Sequence, residues 1–260
     1  MVKKILLYSV IAISLIAIGG YIYGAGIVYS NGIKSEVCNK ITITITDSLT
    51  NRFLTKEDIN SIILENIGEV KGKKRELINV NNIEKLLNQR SAIKSSQVYL
   101  YRNGDLGIEI TQRRPIARIQ TANGGFYIDN SKYIFPLAKH FTSYVPIVNG
   151  YIPLEIDVNF RGNLYNESLW LNKLVDFVNY ITKSDFWSSQ IDQIYVNKEG
   201  EIELVPLIGE HVIIFGDLDN IESKFNRLLS FYKNVLPVEG WDKYSQINLK
   251  YKNQIVCKLK

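Results

Sequence analysis

Histidine and cysteine are scarce in this chain of 260 residues, which contains two of each. A zinc site needs three or four ligands at suitable spacing, and side chains scattered between Cys38 and Cys257 do not supply them. His140 and His211 are the only histidines, and His211 opens a strand pattern, where core packing or exposure explains it better than general-base catalysis. Motifs for phosphate binding, serine hydrolysis and metalloproteolysis are also absent from the sequence. We therefore predict no enzymatic activity, no metal, no cofactor and no small-molecule substrate.

Two cysteines are also too few for a disulfide framework. Cys38 and Cys257 stand near opposite ends of the chain that follows the N-terminal apolar run. A bridge would require their Cα atoms to lie within about 7 Å of each other. We expect two unpaired thiols.

Charge is missing from one long stretch, because Ile5 to Ile33 contains no Asp, Glu, Lys or Arg. A helix over residues 5–29 would be about 37 Å long, which is enough to cross a hydrocarbon core of about 30 Å. Lys3 and Lys4 precede it, and short basic tails stay on the cytoplasmic side. We predict a cytoplasmic tail at residues 1–4 and a single transmembrane helix at 5–29 in the inner (cytoplasmic) membrane. The remaining chain would be periplasmic or otherwise extracytoplasmic.

A cleaved secretory signal is the open alternative for this stretch. The basic start and the apolar run fit such a signal, and Gly24-Ala25-Gly26 offers small residues for cleavage. The apolar run is longer than a typical signal core, which favours the anchor. Both interpretations place the later residues in the same compartment.

Basic residues are not concentrated anywhere in the chain. Lysine and arginine number 31 against 26 acidic residues, which gives a formal charge of +5. Nucleic-acid binding would require a basic stripe on one face. We therefore expect no nucleic-acid partner.

The first folded part has the element order β-α-α-β-β. Residues 41–46 alternate isoleucine and threonine, which predicts a half-buried strand. A helix follows from Thr55 and stops at Gly68, and a second helix starts at Asn81. Two alternating segments around Asn103-Gly104 then form a hairpin. This pattern predicts a small α+β layer in which two helices cover one face of a three-stranded sheet.

The second part is rich in short strands. It contains two strands around a turn at Asp129, an element at 145–150 that ends in a turn, and a hairpin at 194–205. One helix is predicted over 167–181, and residues 216–219 cap another. Residues 246–258 alternate, break at Asn253-Gln254 and resume, which indicates a final strand or a tight hairpin.

The β-α-α-β-β unit behind a single anchor ends in Ile110-Thr-Gln-Arg-Arg-Pro-Ile-Ala117. In this it resembles the POTRA domain of the FtsQ/DivIB cell-division family, although Gln112 stands where that family usually carries Glu. The Gly216-Asp217 segment and the helix after it resemble the family as well. The resemblance implies an α+β fold with a POTRA-like domain at 36–114 and a larger FtsQ-type β domain with two covering helices at 115–260. We place the domain junction at Arg113, Arg114 and Pro115, since proline lacks an amide donor and disfavours helix before it.

The same resemblance implies a non-enzymatic, single-pass scaffold of the bacterial division machinery. Such a protein holds FtsB/DivIC-like and FtsL-like partners at the septum and regulates septal peptidoglycan synthesis. The family binds its partner through its last strand, and the contact positions fall on Lys250 and Tyr251. An open strand edge offers unpaired backbone groups to an extended partner segment. The predicted partner-binding residues are Gln246, Ile247, Asn248, Leu249, Lys250, Tyr251 and Lys252.

Other interpretations of these features stay open at the level of sequence. Lysines on the last strand can blunt an open edge against aggregation just as they can select an acidic partner. A POTRA-like unit also occurs in envelope transport or assembly components, and an anchored envelope enzyme would use Glu201 and Glu203 or Asp217 and Asp219 as acid and base.

Overall fold

The computed structural model describes residues 13–27, 37–47, 51–138, 140–154, 156–157, 160–163 and 168–260. Contacts divide these residues into two units. The first comprises the described residues up to Thr44 together with Lys56–Leu87 and Ser96–Glu109. The second comprises Ile45–Thr55, Asn88–Ser95 and Ile110–Lys260.

Residues 13–27 are helical and are called helix α1 here. Their apolar side chains are largely exposed, with Ile16 at 75% and Ile22 at 65%. Within the described ranges, no helix is both long enough and apolar enough to cross a membrane. The predicted tail at 1–4 and the ends of the predicted span, 5–12 and 28–29, lie outside the described residues.

The smaller sheet has three strands in the order β1-β3-β2. Its apolar residues alternate as the sequence predicts, so that Ile43 and Ile45 are buried while Thr44 is exposed. The predicted order β-α-α-β-β is confirmed, with a short 3-10 helix added at Arg75–Leu77. The elements are β1 (Ile41–Ile45), α2 (Lys56–Ile67), α3 (Val80–Asn88), β2 (Ile93–Leu100) and β3 (Leu106–Gln112).

Helix α3 begins earlier than the sequence pattern predicts. We expected its start at Asn81, but the helix begins at Val80. The Asn79 side chain accepts a hydrogen bond from the Asn82 amide at 3.0 Å. Asn79, Asn81 and Asn82 are all residues that favour a helix cap. Asn79 takes this role, because its side chain accepts from a free amide of the first turn.

The larger sheet has ten strands in the order β13-β12-β11-β10-β9-β7-β4-β5-β6-β8. Two of the predicted turns are present in this sheet. Lys132, in the turn after Asp129, has a φ of 63°, and Gly200, in the turn between β9 and β10, has a φ of 79°. Its strands are β4 (Pro115–Thr121), β5 (Gly124–Asp129), β6 (Tyr133–Pro136), β7 (Ile147–Gly150), β8 (Gly162–Asn163), β9 (Ile191–Val196), β10 (Ile202–Pro206), β11 (Val212–Gly216), β12 (Tyr244–Asn248) and β13 (Val256–Leu259).

Strand β7 was predicted only as an element ending in a turn. It pairs in parallel with β4 on one side and with β9 on the other. Val148 is its fully buried residue and lies opposite Ile119 and Ile194. A strand of four residues between distant partners leaves little periodicity to detect, since its pairing is decided by residues far away in the chain.

Two long helices and two short ones belong to the second unit. Aromatic rings join α4 and α6 to the sheet, because Phe177 lies 4.8 Å from Phe215 and 5.7 Å from Phe225 between ring centroids. The Ser168 side chain caps α4 by accepting from the Leu171 amide at 3.1 Å. The predicted start of this helix, at residue 167, lies outside the described part of the chain. The helices are α4 (Leu169–Lys183), α5 (Asp185–Ser188), α6 (Ile221–Asn234) and α7 (Leu236–Glu239).

The start of α6 corrects the capping prediction for residues 216–219. The residue before the helix is Asn220, which has a φ of 53° and makes no side-chain cap. Asp217 instead accepts from Lys224 Nζ at 2.6 Å and from the Asp219 amide at 3.1 Å. The Asp217 carboxylate, which the sequence predicts as a helix cap, is therefore bound by Lys224 in the first turn of α6.

Candidate partner-binding edge

The C-terminal hairpin closes one end of the larger sheet. Strand β12 runs parallel to β11, with Ile213 opposite Ile247. Strand β13 is antiparallel to β12, with Cys257 opposite Ile247. Both sides of β12 are therefore occupied, and β13 is the last strand in the order of the sheet.

Of the two interpretations of residues 246–258, the single final strand is wrong. Strand β12 ends at Asn248, whose side chain accepts from the Lys250 amide at 2.9 Å and turns the chain. Asn253 then adopts a φ of 59°, which asparagine tolerates better than most residues. Residues 249–255 form the connection of a hairpin, so the alternative interpretation as a hairpin is the correct one.

The seven predicted partner-binding residues divide into buried and accessible ones. Ile247 and Leu249 are fully buried in the core, and Asn248 is half-buried. Tyr251 is 49% exposed. The exposed positions are Gln246 on β12 and Lys250, Tyr251 and Lys252 in the connection.

Arg227 on α6 holds the connection in place. Its Nη1 donates to the carbonyls of Tyr251 at 2.5 Å and Gln254 at 2.7 Å, and its Nη2 donates to the carbonyl of Leu249 at 3.0 Å. The planar guanidinium matches three carbonyls that converge from one loop. Sequence reasoning missed this residue, because an arginine between the apolar positions of an amphipathic helix gives no local signal of its partners.

We expect Arg227→Ala to lower the free energy of unfolding of the second unit by about 2 kcal/mol, because hydrogen bonds from a charged donor to three carbonyls are lost. The amides of residues 249–255 should exchange faster with solvent. Arg227→Lys should restore less than half of the loss, since an ammonium cannot reproduce the fork. Denaturant unfolding and hydrogen exchange measure both effects, and Lys233→Ala on the exposed side of α6 is the control.

Two ion pairs join the hairpin to the loops before and after β10. Lys250 Nζ lies 2.6 Å from a carboxylate oxygen of Glu201, and Lys260 Nζ lies 2.7 Å from Glu210. The hydrogen bond from Lys260 lowers the pKa of Glu210, and the hydrogen bond to Glu201 raises the pKa of Lys250. Both pairs are solvent-exposed, so their contribution is to the position of the hairpin more than to its stability.

The edge strand itself combines apolar and basic side chains. Val256 is 44% exposed, Leu259 is 59% exposed, and Lys258 is exposed between them. Cys257 is half-buried, and burial raises the pKa of its thiol. An extended segment with apolar and acidic residues would fit this edge, since cross-strand apolar pairs and opposite charges both stabilise strand pairing.

Three of the four carboxylates considered for acid–base chemistry are engaged in ion pairs. Besides the contact of Glu201 with Lys250, Asp217 pairs with Lys224 at 2.6 Å. Asp219 pairs with Lys173 at 2.7 Å. These contacts give Glu201 and both aspartates a structural role.

The three residues predicted at the domain junction have different environments. Arg113 donates to the Ser91 carbonyl at 3.0 Å and to Asp129 at 2.8 Å, and its guanidinium lies 3.4 Å from the centre of the Tyr133 ring. Arg114 is mostly exposed and lies 3.7 Å from Asp47. Pro115 is the first residue of β4, as its missing amide donor predicts.

Gln112 is the centre of a buried polar network in the second unit. Its amide nitrogen donates to the Asn51 carbonyl at 2.7 Å and to Asp47 Oδ1 at 3.4 Å. Its side-chain oxygen accepts from the Leu54 amide at 2.9 Å. The side chain is fully buried, and Asp47 and Asn51 are almost so. An amide serves here because the site requires a donor and an acceptor at once.

His211 is a core residue. Its ring is 1% exposed, and its Nε2 lies 2.7 Å from the Tyr232 hydroxyl. Burial, assisted by the positive charge of Lys260, lowers the pKa of His211. The ring is therefore neutral in the folded protein near pH 7.

We expect the second unit to lose stability as the pH falls below about 6.5, the ordinary pKa of histidine. The lowered pKa in the folded state means that the unfolded chain binds the proton more readily. The stability from neutral His211 is thus present above pH 6.5 and lost below it. Urea unfolding at pH 5.5 and 7.5 measures this, and His211→Gln should flatten the dependence. His140→Gln, at an exposed position, should keep it, and an unchanged slope in His211→Gln would contradict the assignment.

Both cysteines are free, as the sequence predicts. Cys38 is buried in the first unit, and Cys257 is half-buried on β13 of the second unit.

A small α+β sheet of three strands followed by a ten-stranded sheet with two long helices defines a protein with a POTRA-like part and a β-rich part. Comparison with family models agrees: a model described as "POTRA-like domain" matches residues 36–111. A model described as "FtsQ/DivIB, C-terminal related" matches residues 114–258, which is more than half of the chain. The chain therefore belongs to the FtsQ/DivIB family, and the predicted family is confirmed. No curated protein matches the chain.

Proposed function

We propose that this chain is a non-enzymatic membrane scaffold of the bacterial division machinery. In this proposal it holds FtsB/DivIC-like and FtsL-like proteins at the septum and thereby regulates septal peptidoglycan synthesis. The family membership supports a role in cell division. The observation that carries the partner-binding part is the edge strand β13, whose outer side has no neighbouring strand within the described residues.

The anchor in this proposal is a single transmembrane helix over residues 5–29. Its support is the uncharged stretch from Ile5 to Ile33 and the exposure of apolar side chains on α1, among them Ile13, Leu15 and Ile16. Exposed isoleucine and leucine along a helix are stable in lipid rather than in water. The N-terminus would be cytoplasmic, and both folded units would lie outside the cytoplasmic membrane.

The proposed mechanism is strand addition. A segment of the FtsB/DivIC-like partner would pair with β13 and extend the sheet, with backbone hydrogen bonds for affinity and side-chain pairs for specificity. Anchoring both proteins in one membrane raises their effective concentration, so that a weak strand-pairing contact persists. Lys252 and Lys258 would favour an acidic segment and speed its encounter.

We expect Tyr251→Ala to weaken partner binding by about 1 to 3 kcal/mol, as for an aromatic anchor at an interface. Its effect on unfolding should stay within about 0.5 kcal/mol, because the ring is 49% exposed. Tyr151, which is 53% exposed on the same unit, supplies the matched control in Tyr151→Ala. Titration of the full chain with the extracytoplasmic segment of the partner compares the three proteins. Equal affinities for all three would remove Tyr251 from the interface.

Hydrogen exchange of the full chain with and without that segment tests the site itself. Binding should slow exchange by about tenfold or more at those amides of 256–259 that face away from β12, because they become hydrogen-bonded to the added strand. The amides at 162–163 on β8, at the other end of the sheet, are the internal control. Protection at β8 alone would place the site elsewhere. No binding by the intact chain, with capture of envelope-assembly components instead, would favour the transport alternative.

A further inference from the structure

A groove with a volume of about 520 Å³ lies in the second unit, away from the C-terminal hairpin. It is bordered by the start of β4, the segment before β7, the ends of α4 and α5, the start of β9 and the residue after β10. Apolar and polar groups share its lining. Its lining includes Ile116, Tyr144, Pro146, Ile191, Asp192 and Leu207.

The side-chain hydroxyl groups of Thr182, Ser188 and Ser189, which line the groove, already donate their protons to backbone carbonyls. Thr182 Oγ1 donates to the Val178 carbonyl at 3.0 Å. Ser188 and Ser189 both donate to the Asp185 carbonyl, at 3.2 and 2.9 Å. Because a hydroxyl has one proton, each of these oxygens has only lone pairs left for a ligand.

Two backbone amides in the same walls are used as well. The amide of Ser188 donates to the Ser184 carbonyl at 2.9 Å, and the amide of Leu207 donates to the Gln190 carbonyl at 2.7 Å. Pro115 and Pro146 have no amide proton. These wall groups therefore have no proton left to donate.

Among the described residues that line the groove, one has a charged side chain, the carboxylate of Asp192. An ionised carboxylate only accepts hydrogen bonds. Tyr144 also lines the groove, its side chain is 88% exposed, and tyrosine ring faces attract cations. Leu207 is 59% exposed, and with Ile116 and Ile191 it supplies the apolar lining.

We propose that this groove binds an arginine or lysine side chain flanked by apolar residues, presented by an extended segment of a partner protein. Such a side chain carries several donors and a positive charge, which complement the acceptors and the carboxylate. Its apolar neighbours would cover Leu207, which is exposed, and Ile116, which is half-buried. An acidic segment would place a second negative charge near Asp192 and near the lone pairs of Thr182, Ser188 and Ser189, which repel it. The groove contains no residue of β13, so this proposal does not depend on the proposed function.

Fluorescence anisotropy tests this with a labelled peptide, acetyl-Ala-Leu-Arg-Leu-Ala amide, and the full chain in detergent. We expect binding that weakens with added salt. Replacing the arginine of the peptide with citrulline, which keeps the shape without the charge, should weaken it about tenfold, and glutamate there should abolish it. Asp192→Asn should weaken binding about tenfold and Tyr144→Leu about threefold. Asp176→Asn, an exposed carboxylate on α4 outside the groove, should leave it unchanged.

Three results would overturn the proposal. The first is equal affinity for the arginine and glutamate peptides. The second is equal weakening by Asp192→Asn and Asp176→Asn. The third is a dimer in light scattering that Tyr144→Leu dissociates and that excludes the peptide, because a second copy of the chain would then occupy the groove.

Discussion

Gln112→Glu is expected to destabilise the second unit by about 3 kcal/mol, because it places a buried carboxylate without adequate partners. The amide nitrogen of Gln112 now donates to the Asn51 carbonyl at 2.7 Å. An oxygen in its place would face another acceptor. It would also lie near Asp47 Oδ1, which is 3.4 Å from the present nitrogen. The buried Asp47 therefore explains why an amide rather than a carboxylate suits position 112 in this chain.

The penalty should depend on pH with a definite sign. Burial and the neighbouring carboxylate of Asp47 raise the pKa of the introduced carboxyl above its ordinary value of about 4.3. The folded variant therefore takes up a proton before the unfolded one does, and its deficit relative to the native chain should shrink as the pH falls from 8 to 5. Combining Gln112→Glu with Asp47→Asn should recover part of the loss at pH 8, since the like charge is gone.

Urea unfolding of the full chain at both pH values measures these differences. Gln97→Glu, at an exposed position on β2, is the matched control and should change stability by less than about 0.5 kcal/mol. A deficit in Gln112→Glu that is no larger than the control, or one that grows toward pH 5, would contradict the network.

Leu249→Pro is expected to cost about 4 kcal/mol, the second large effect. The Leu249 amide donates to the Ile214 carbonyl at 2.9 Å, and proline has no proton to replace it. The side chain is fully buried, so proline also leaves space in the core. Its carbonyl accepts from Arg227, and a displaced backbone would release that contact too.

Two substitutions at the same position separate these causes. Leu249→Ala removes only the side chain and should cost about 3 kcal/mol, whereas Leu249→Met keeps the volume and should cost less than about 1.5 kcal/mol. Only the proline variant should also speed exchange of the β12 and β13 amides. A normal denaturation midpoint for Leu249→Pro would refute the pairing of this residue with β11.

Residues far away in the sequence hold the C-terminal hairpin in place. The Ile214 carbonyl, the Arg227 guanidinium and the Glu201 carboxylate each fix a different point of the connection between β12 and β13. An edge strand held so firmly would lose little conformational entropy when another strand pairs with it. The proposed docking of an extended partner segment depends on that rigidity.

Much of the local structure could be predicted from the sequence. Alternation identified β1, periodicity identified α6, and the Asn103-Gly104 turn identified the hairpin of β2 and β3. The strand before the connection was predicted correctly, but its end was not. Asn248 and Asn253 turn the chain, although the alternation of the sequence continues to Lys252. The partner-binding positions stay a prediction. Because Ile247 and Leu249 are buried, the accessible candidates among the seven are Gln246, Lys250, Tyr251 and Lys252.

The sequence by itself determined the family, the order of elements and the apolar faces, since propensity, turn chemistry and side-chain periodicity act over a few neighbouring residues. Only the tertiary structure decided which strand lies at the edge, how β7 joins β4 to β9, and which groups Gln112 and Arg227 bind. Gln112 and Asp47 are separated by 65 residues, and Arg227 and Tyr251 by 24. Such contacts form only after the chain has closed loops of that length, so the pattern of neighbouring residues cannot predict them.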